Sequence, residues 1–309
     1  MSRQPPRQRS PHPTSRFFET RDAVRLHVLA WLGDEPATPG DESPLVFLHG
    51  GGANAHWWDH LAGPLSAGRA VYALDFRGHG DSDHPAERRV GAFNDDLEAL
   101  VGWLGRDDVI LVGHSLGATV ALDHASRFAA TRALVLVDLA RGGPPEIGRR
   151  ARLALSLRRT YRSREDAVQR FRFLPESSRA SEALRAAIAA HSVREEGVGR
   201  FGYKFDPGWF GLPSRPAPDP GQIRCPTLLV RGGESTLLTR EAAEAFVRSL
   251  TGARIPARWV EIPEAGHHVL VDQPERLLAV LEAFLETLPA PSAPGAPSAA
   301  PVRDDAGAN

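Results

Sequence analysis

Cysteine and methionine are nearly missing from this chain: Cys225 is the one cysteine and Met1 the one methionine among 309 residues. A single cysteine excludes an intrachain disulfide and any thiolate-rich metal centre, so packing must hold the fold. Cys225 precedes Pro226 at an expected strand start and reads as a buried structural thiol. Long apolar runs are missing too. No stretch approaches the roughly 18–20 residues that cross a bilayer, and no secretory h-region follows the start, which predicts a cytoplasmic protein without a membrane partner. Neither sign of charge dominates: 37 Lys and Arg oppose 38 Asp and Glu, so nothing pulls the whole molecule towards nucleic acid. There are no internal repeats. Residues 1–15 and 289–309 contain little apolar material, and both are expected to be disordered tails, because they cannot bury enough surface to offset their chain entropy.

What remains is ample for a full-sized core: 42% of residues are hydrophobic and 24% charged. Short apolar runs at 45–48, 70–74, 109–112, 133–137, 227–230 and 258–262 read as strands, with a hairpin-like pair at 17–20 and 24–31 before them. Helical patterns lie between them, for instance 93–105. That alternation predicts a mostly parallel sheet with helices on both faces. The pattern breaks over 141–221, where helical stretches occur without a buried strand. This insertion carries an arginine run (Arg149, Arg150, Arg152, Arg158, Arg159, Arg162, Arg164) and an aromatic end containing Trp209 and Phe210.

The chemistry-bearing stretch follows the apolar run at 109–112. Gly113-His114-Ser115-Leu116-Gly117 is a G-x-S-x-G turn between a strand and a helix-forming segment. Small residues at its flanks allow a sharp turn that strains the serine backbone and projects its Oγ. The Leu116 N–H then stands at a helix start, where developing negative charge is favoured. His49-Gly50-Gly51-Gly52 also follows a strand, and Gly51 is the expected second donor of an oxyanion hole. Trp57 and Trp58 come next; either lines the pocket mouth or packs in the core. In the loop 75–83, His79, Asp81 and Asp83 alternate in superficial resemblance to a metal site, but backbone capping is the commoner use of such alternation. Open parallel sheets gather their sites at strand carboxyl ends. Ser115, Asp138, Glu234 and His267 all fall there, in the order serine, acid, histidine.

With these motifs and Ala265-Gly266-His267, the sequence resembles the α/β-hydrolase fold family of the serine type over about residues 16–288. The resemblance implies an eight-stranded sheet, a core of 16–140 and 222–288, and a helical cap at 141–221 inserted after strand 6. It also implies Ser115 as nucleophile, His267 as base, and the Gly51 and Leu116 N–H groups as oxyanion hole, with no metal or organic cofactor. Relatives with aspartate at the elbow are epoxide hydrolases and haloalkane dehalogenases, and serine argues against both. The acid departs from the common pattern. Many relatives carry it three residues after a glycine matching Gly232, where Ser235 stands here with Glu234 one residue early. A minority use an acid after the sixth strand, which makes Asp138 the first choice and Glu234 the alternative. His268 is expected to point away from the site, to packing or to the surface. Trp57, Trp58, Trp209 and Phe210 are the candidate substrate-binding residues. The implied function is hydrolysis of a carboxylic ester, lactone or thioester of a small carbonyl substrate through an acyl-enzyme. C–C bond (diketone) hydrolysis or cofactor-free perhydrolase or acyltransferase chemistry would use the same residues. A non-catalytic ligand-binding role on this fold is the alternative of another class.

Overall fold

The structure is a computed structural model that describes residues 12–32, 43–175, 179–213, 216–253 and 255–289. In chain order its elements are β1 (Thr14–Glu19), β2 (Arg25–Trp31), β3 (Leu45–Leu48), α1 (Asp59–Leu65), β4 (Val71–Leu74), α2 (Ala92–Leu104), β5 (Ile110–His114), α3 (Leu116–Arg127) and β6 (Ala133–Val137). Then come α4 (Pro145–Leu155), β7 (Thr160–Tyr161), α5 (Arg164–Gln169), α6 (Glu182–His191), β8 (Val193–Gly197) and β9 (Arg200–Tyr203). The chain closes with β10 (Thr227–Gly232), α7 (Arg240–Ser249), β11 (Arg258–Ile262), α8 (Val269–Asp272) and α9 (Pro274–Glu286).

Eight strands form one sheet in the order β1-β2-β4-β3-β5-β6-β10-β11. The pairings from β4 to β11 are parallel, and β1–β2 and β2–β4 are antiparallel. The central strands are buried on both faces, which is why they read as unbroken apolar runs. Alternate residues feed two cores: Phe47, Val112 and Val135 pack with Leu277 and Leu281 of α9, whereas Val46, Leu111 and Leu134 pack with Leu97 of α2 and Phe246 of α7. Cys225 is buried, and burial pushes its thiol up to about 11, consistent with an inert packing residue.

Two expectations need correction. The expected arm at 1–15 overlaps β1, which starts at Thr14: Thr14 Oγ1 donates to the Ala30 carbonyl and Ser15 Oγ lies 2.7 Å from His27 Nε2. The remainder of that arm up to residue 11, and 290–309 of the other tail, lie outside the described residues. The insertion between β6 and β10 is not purely helical, for β7, β9 and β8 make a separate three-stranded antiparallel sheet. These strands escape sequence reading because they are short, half-exposed and rich in Arg and Glu, as in Val193-Arg194-Glu195-Glu196-Gly197.

Candidate active site

The β5–α3 turn sets the geometry. Ser115 sits at φ 52°, ψ −111°, outside the regions ordinary residues prefer, and its N–H donates to the Val137 carbonyl of the neighbouring strand. Both flanking glycines are forced by contact: a Cβ on Gly113 would come within 2.3 Å of the Gly117 carbonyl oxygen, and one on Gly117 within 2.2 Å of the Leu48 oxygen. Ser115 Oγ is 2.9 Å from His267 Nε2, and His267 Nδ1 is 2.8 Å from Asp138 Oδ1. Asp138 is fully buried at the end of β6, with φ 45°. Its Oδ1 also accepts from Ser235 Oγ at 2.6 Å, and its Oδ2 from the Gly232 N–H at 2.8 Å. One carboxylate at the end of β6 thus ties together the ends of β10 and β11.

His114, the variable residue of the turn, holds the far side. Its Nε2 lies 3.0 Å from the His267 carbonyl oxygen, which anchors the loop carrying the histidine. Burial, then the charge of His267, holds the His114 imidazole well below its ordinary range, so it stays neutral and Nε2–H is the donor. Sequence reading left both Ser235 and His114 out of the site. The signal for Ser235 was its place three residues after Gly232; for His114 it was a histidine inside the turn itself.

The glycine loop after β3 is held by a second buried polar group. His79 Nε2 accepts from the Gly52 N–H at 3.3 Å, and His49 Nε2 accepts from the Phe76 N–H at 3.2 Å. Asp75 accepts from the Ala55 and Asp81 N–H groups and pairs with His27 Nδ1 at 2.7 Å; this pairing holds its carboxyl down against the opposing effect of burial. Gly51 and Leu116 border the same cavity as Ser115 and His267, a space of about 480 Å³ beneath the insertion. Neither of their N–H groups donates to another group among the described residues.

Other sequence candidates part company here. Trp57, Trp209 and Phe210 line the cavity, but Trp58 stacks on Phe47 with ring centroids 4.5 Å apart and belongs to the core. His268 does not reach the surface. It is buried edge-on to Trp57 and lines the cavity, and burial, with the charge of His267, pushes it down to about 3. Glu234 lies away from His267: its side chain is half exposed and pairs with Arg179 at 2.6 Å. Residues of the polar loop also disperse, since Asp81 pairs with Lys204 and Asp83 accepts from the Arg25 N–H. Two His/Asp groups have ligand atoms within 4.8 Å, one of His27, Asp75 and Asp81 and one of His56, Asp59 and His191. In the first, the His27–Asp75 pair is already satisfied; in the second, His56 and His191 stack 19° from parallel, so their in-plane lone pairs do not converge.

A model of the alpha/beta hydrolase family matches residues 45–280. The chain belongs to that family. It is an enzyme of the alpha/beta hydrolase class, and it is similar along most of its length to named members. An esterase of Mycobacterium tuberculosis is 29% identical over 285 residues, covering 87% of this chain and 89% of that protein. An sn-1-specific diacylglycerol lipase of Mus musculus is 27% identical, covering 78% and 80%. The crystal structure of an alpha/beta hydrolase from Novosphingobium aromaticivorans superposes with a TM-score of 0.73 at 25% identity, covering 89% of this chain and 98% of that one. Among the described residues, no helix of this alpha/beta hydrolase is long and apolar enough to cross a membrane.

Proposed function

We propose that this alpha/beta hydrolase cleaves carboxylic esters, lactones or thioesters of small organic substrates through an acyl-enzyme on Ser115. The observation that carries the reading is the continuous hydrogen-bonded series Ser115 Oγ, His267 and Asp138, at 2.9 and 2.8 Å. His267 Nε2 takes the hydroxyl proton as Oγ attacks the carbonyl, and Asp138 orients the ring and stabilises the imidazolium that forms. The carbonyl oxygen, now anionic, is met by the Gly51 and Leu116 N–H groups, a contribution of about 3–4 kcal/mol per donor in well-formed sites. His267 then protonates the leaving oxygen or sulfur. Water, deprotonated by the same nitrogen, releases the acid and restores Ser115. Residues 141–221, with Trp209 and Phe210, act in this reading as the cap that selects substrate over the core. Similarity to proteins named as an esterase and a lipase supports an ester as the bond cleaved.

The test is chemical. A fluorophosphonate probe should label Ser115, and Ser115→Ala should lose both labelling and turnover of short chromogenic esters by orders of magnitude. Equal labelling of the variant would move the chemistry to another residue.

A further inference from the structure

The catalytic cavity adjoins a narrow cleft under the insertion, and arginines stand at the far end of that cleft. Gly51, Trp57, Leu155 and Leu174 line both that cavity and a narrow cleft running outward under the insertion. At the other end of the cleft, Arg159 and Arg172 line both it and an open concavity on the surface. That concavity is completed by Arg170, Thr160 and Tyr161. The cavity of Ser115, the cleft and the concavity thus adjoin one another in turn, with three guanidinium groups at the outer one. The acid that lines the cleft, Glu196, is already compensated by Arg158 at 3.2 Å and Arg194 at 3.6 Å.

The three arginines differ in their commitments. Arg170 pairs with Asp166 on its own helix turn. Arg172 is oriented by its Nη1 donating to the Gln169 and Phe171 carbonyls, and it pairs with no carboxylate among the described residues. Arg159 has no carboxylate within ion-pairing distance among the described residues. The wider setting reinforces this: residues 141–221 hold 15 Arg and one Lys against nine Asp and Glu, a net +7 within a chain of net −1. A positive cluster of that kind, set beyond a cleft that adjoins an acyl-transfer centre, suits an elongated substrate with a terminal anion. Guanidinium forks match phosphate oxygens best.

We propose that Arg159 and Arg172, with Arg170 beside them, form a phosphate-recognition site for the far end of the substrate. The ligand class is an ester or thioester whose one arm ends in a phosphate group. This rests on the acyl-transfer reading of Ser115, and the test separates the two. A matched pair of butyrate esters of alkanediols, one ending in a phosphate monoester and one in a hydroxyl, is compared over graded arm lengths. At the best length the phosphate ester should have a kcat/KM at least about tenfold higher, through KM, and the advantage should shrink with added salt. Arg159→Ala should bring the phosphate ester down to the kcat/KM of the hydroxyl ester, and Arg159→Lys should keep part of the preference. Because Arg172 also braces backbone, Arg172→Ala is read beside its melting temperature. Binding of the phosphate ester to Ser115→Ala, followed by calorimetry with inorganic phosphate as competitor, needs no turnover. If neither ester is cleaved but Arg159→Ala still weakens this binding, the phosphate site stands and the hydrolase reading falls. Vesicles of phosphatidylglycerol against phosphatidylcholine identify the source: Arg159-dependent binding to the former without preference for the soluble ester assigns the phosphate to a lipid headgroup. Equal kcat/KM for the two esters together with Arg159-independent binding would overturn the proposal.

Discussion

Asp138 is buried without exposure and has every oxygen engaged by His267, Ser235 or Gly232, so small changes there are expected to be costly. Asp138→Asn should lower kcat at least about a hundredfold, since an amide at this place in a serine protease triad costs about 10⁴ by disturbing the histidine tautomer. Ser235→Ala, which withdraws one donor from the carboxylate, should cost about tenfold; Glu234→Gln, altering an exposed ion pair, should cost less than either. Steady-state rates of the three variants on one ester rank these roles, and a larger loss for Glu234→Gln would reverse the acid assignment. His124 offers a separate test of burial. It stacks on Phe128, its Nδ1 has no hydrogen-bond partner among the described residues, and burial pushes it down to about 3. An unfolded histidine titrates near 6.5, so below that pH the unfolded chain binds a proton that the native state refuses. Stability is therefore retained above pH 6.5 and declines as the pH falls. Between pH 7 and 5 the protein should lose about 2 kcal/mol more than a His124→Phe variant, measured by urea unfolding at the two pH values.

At the level of elements, the elbow is a contact between backbones. A Cβ at Gly117 would overlap the end of β3 at Leu48, where no side chain can rotate away. Gly117→Ala should therefore lower the melting temperature by more than about 5 °C or prevent folding. Gly102 is the contrast: it lies inside α2, and a Cβ added there would meet nothing within 4 Å, so Gly102→Ala should stabilise by about 0.5–1 kcal/mol. Thermal melts of the two variants should move in opposite directions. Strands β3, β5 and β6 were legible because double-sided burial writes itself as apolar runs. The β7-β9-β8 sheet was not, because its strands are two to five residues long, mostly half-exposed and carry charged residues where a buried strand would be apolar.

Across the whole molecule, the insertion is fastened to the core at the loop after β4. The Asp206 N–H donates to the Gly78 carbonyl and the Gly80 N–H to the Lys204 carbonyl, while Arg88 pairs with Asp206 at 2.6 Å and Lys204 with Asp81 at 2.6 Å. Loosening this fastening should disturb the cavity roof before it unfolds the sheet. Asp206→Ala is expected to raise KM for a short ester several-fold and to cost about 1 kcal/mol of stability, since Arg88 is partly solvated. If KM and kcat both stay unchanged, the roof does not depend on this contact.

The sequence by itself determined the alternation of strands and helices and the sharp turn at Ser115, because these depend on residues near one another along the chain. Backbone sterics at Gly113 and Gly117 and the apolar period of each strand act over a few residues and leave a local mark. Only the tertiary structure set Asp138, and not Glu234, against His267, moved Trp58 into the core and His268 into the cavity wall, and gathered Arg159, Arg170 and Arg172 around one concavity. Each of these depends on the distance between strand ends or on how the insertion lies over the sheet, and through-space distance leaves no period in a sequence.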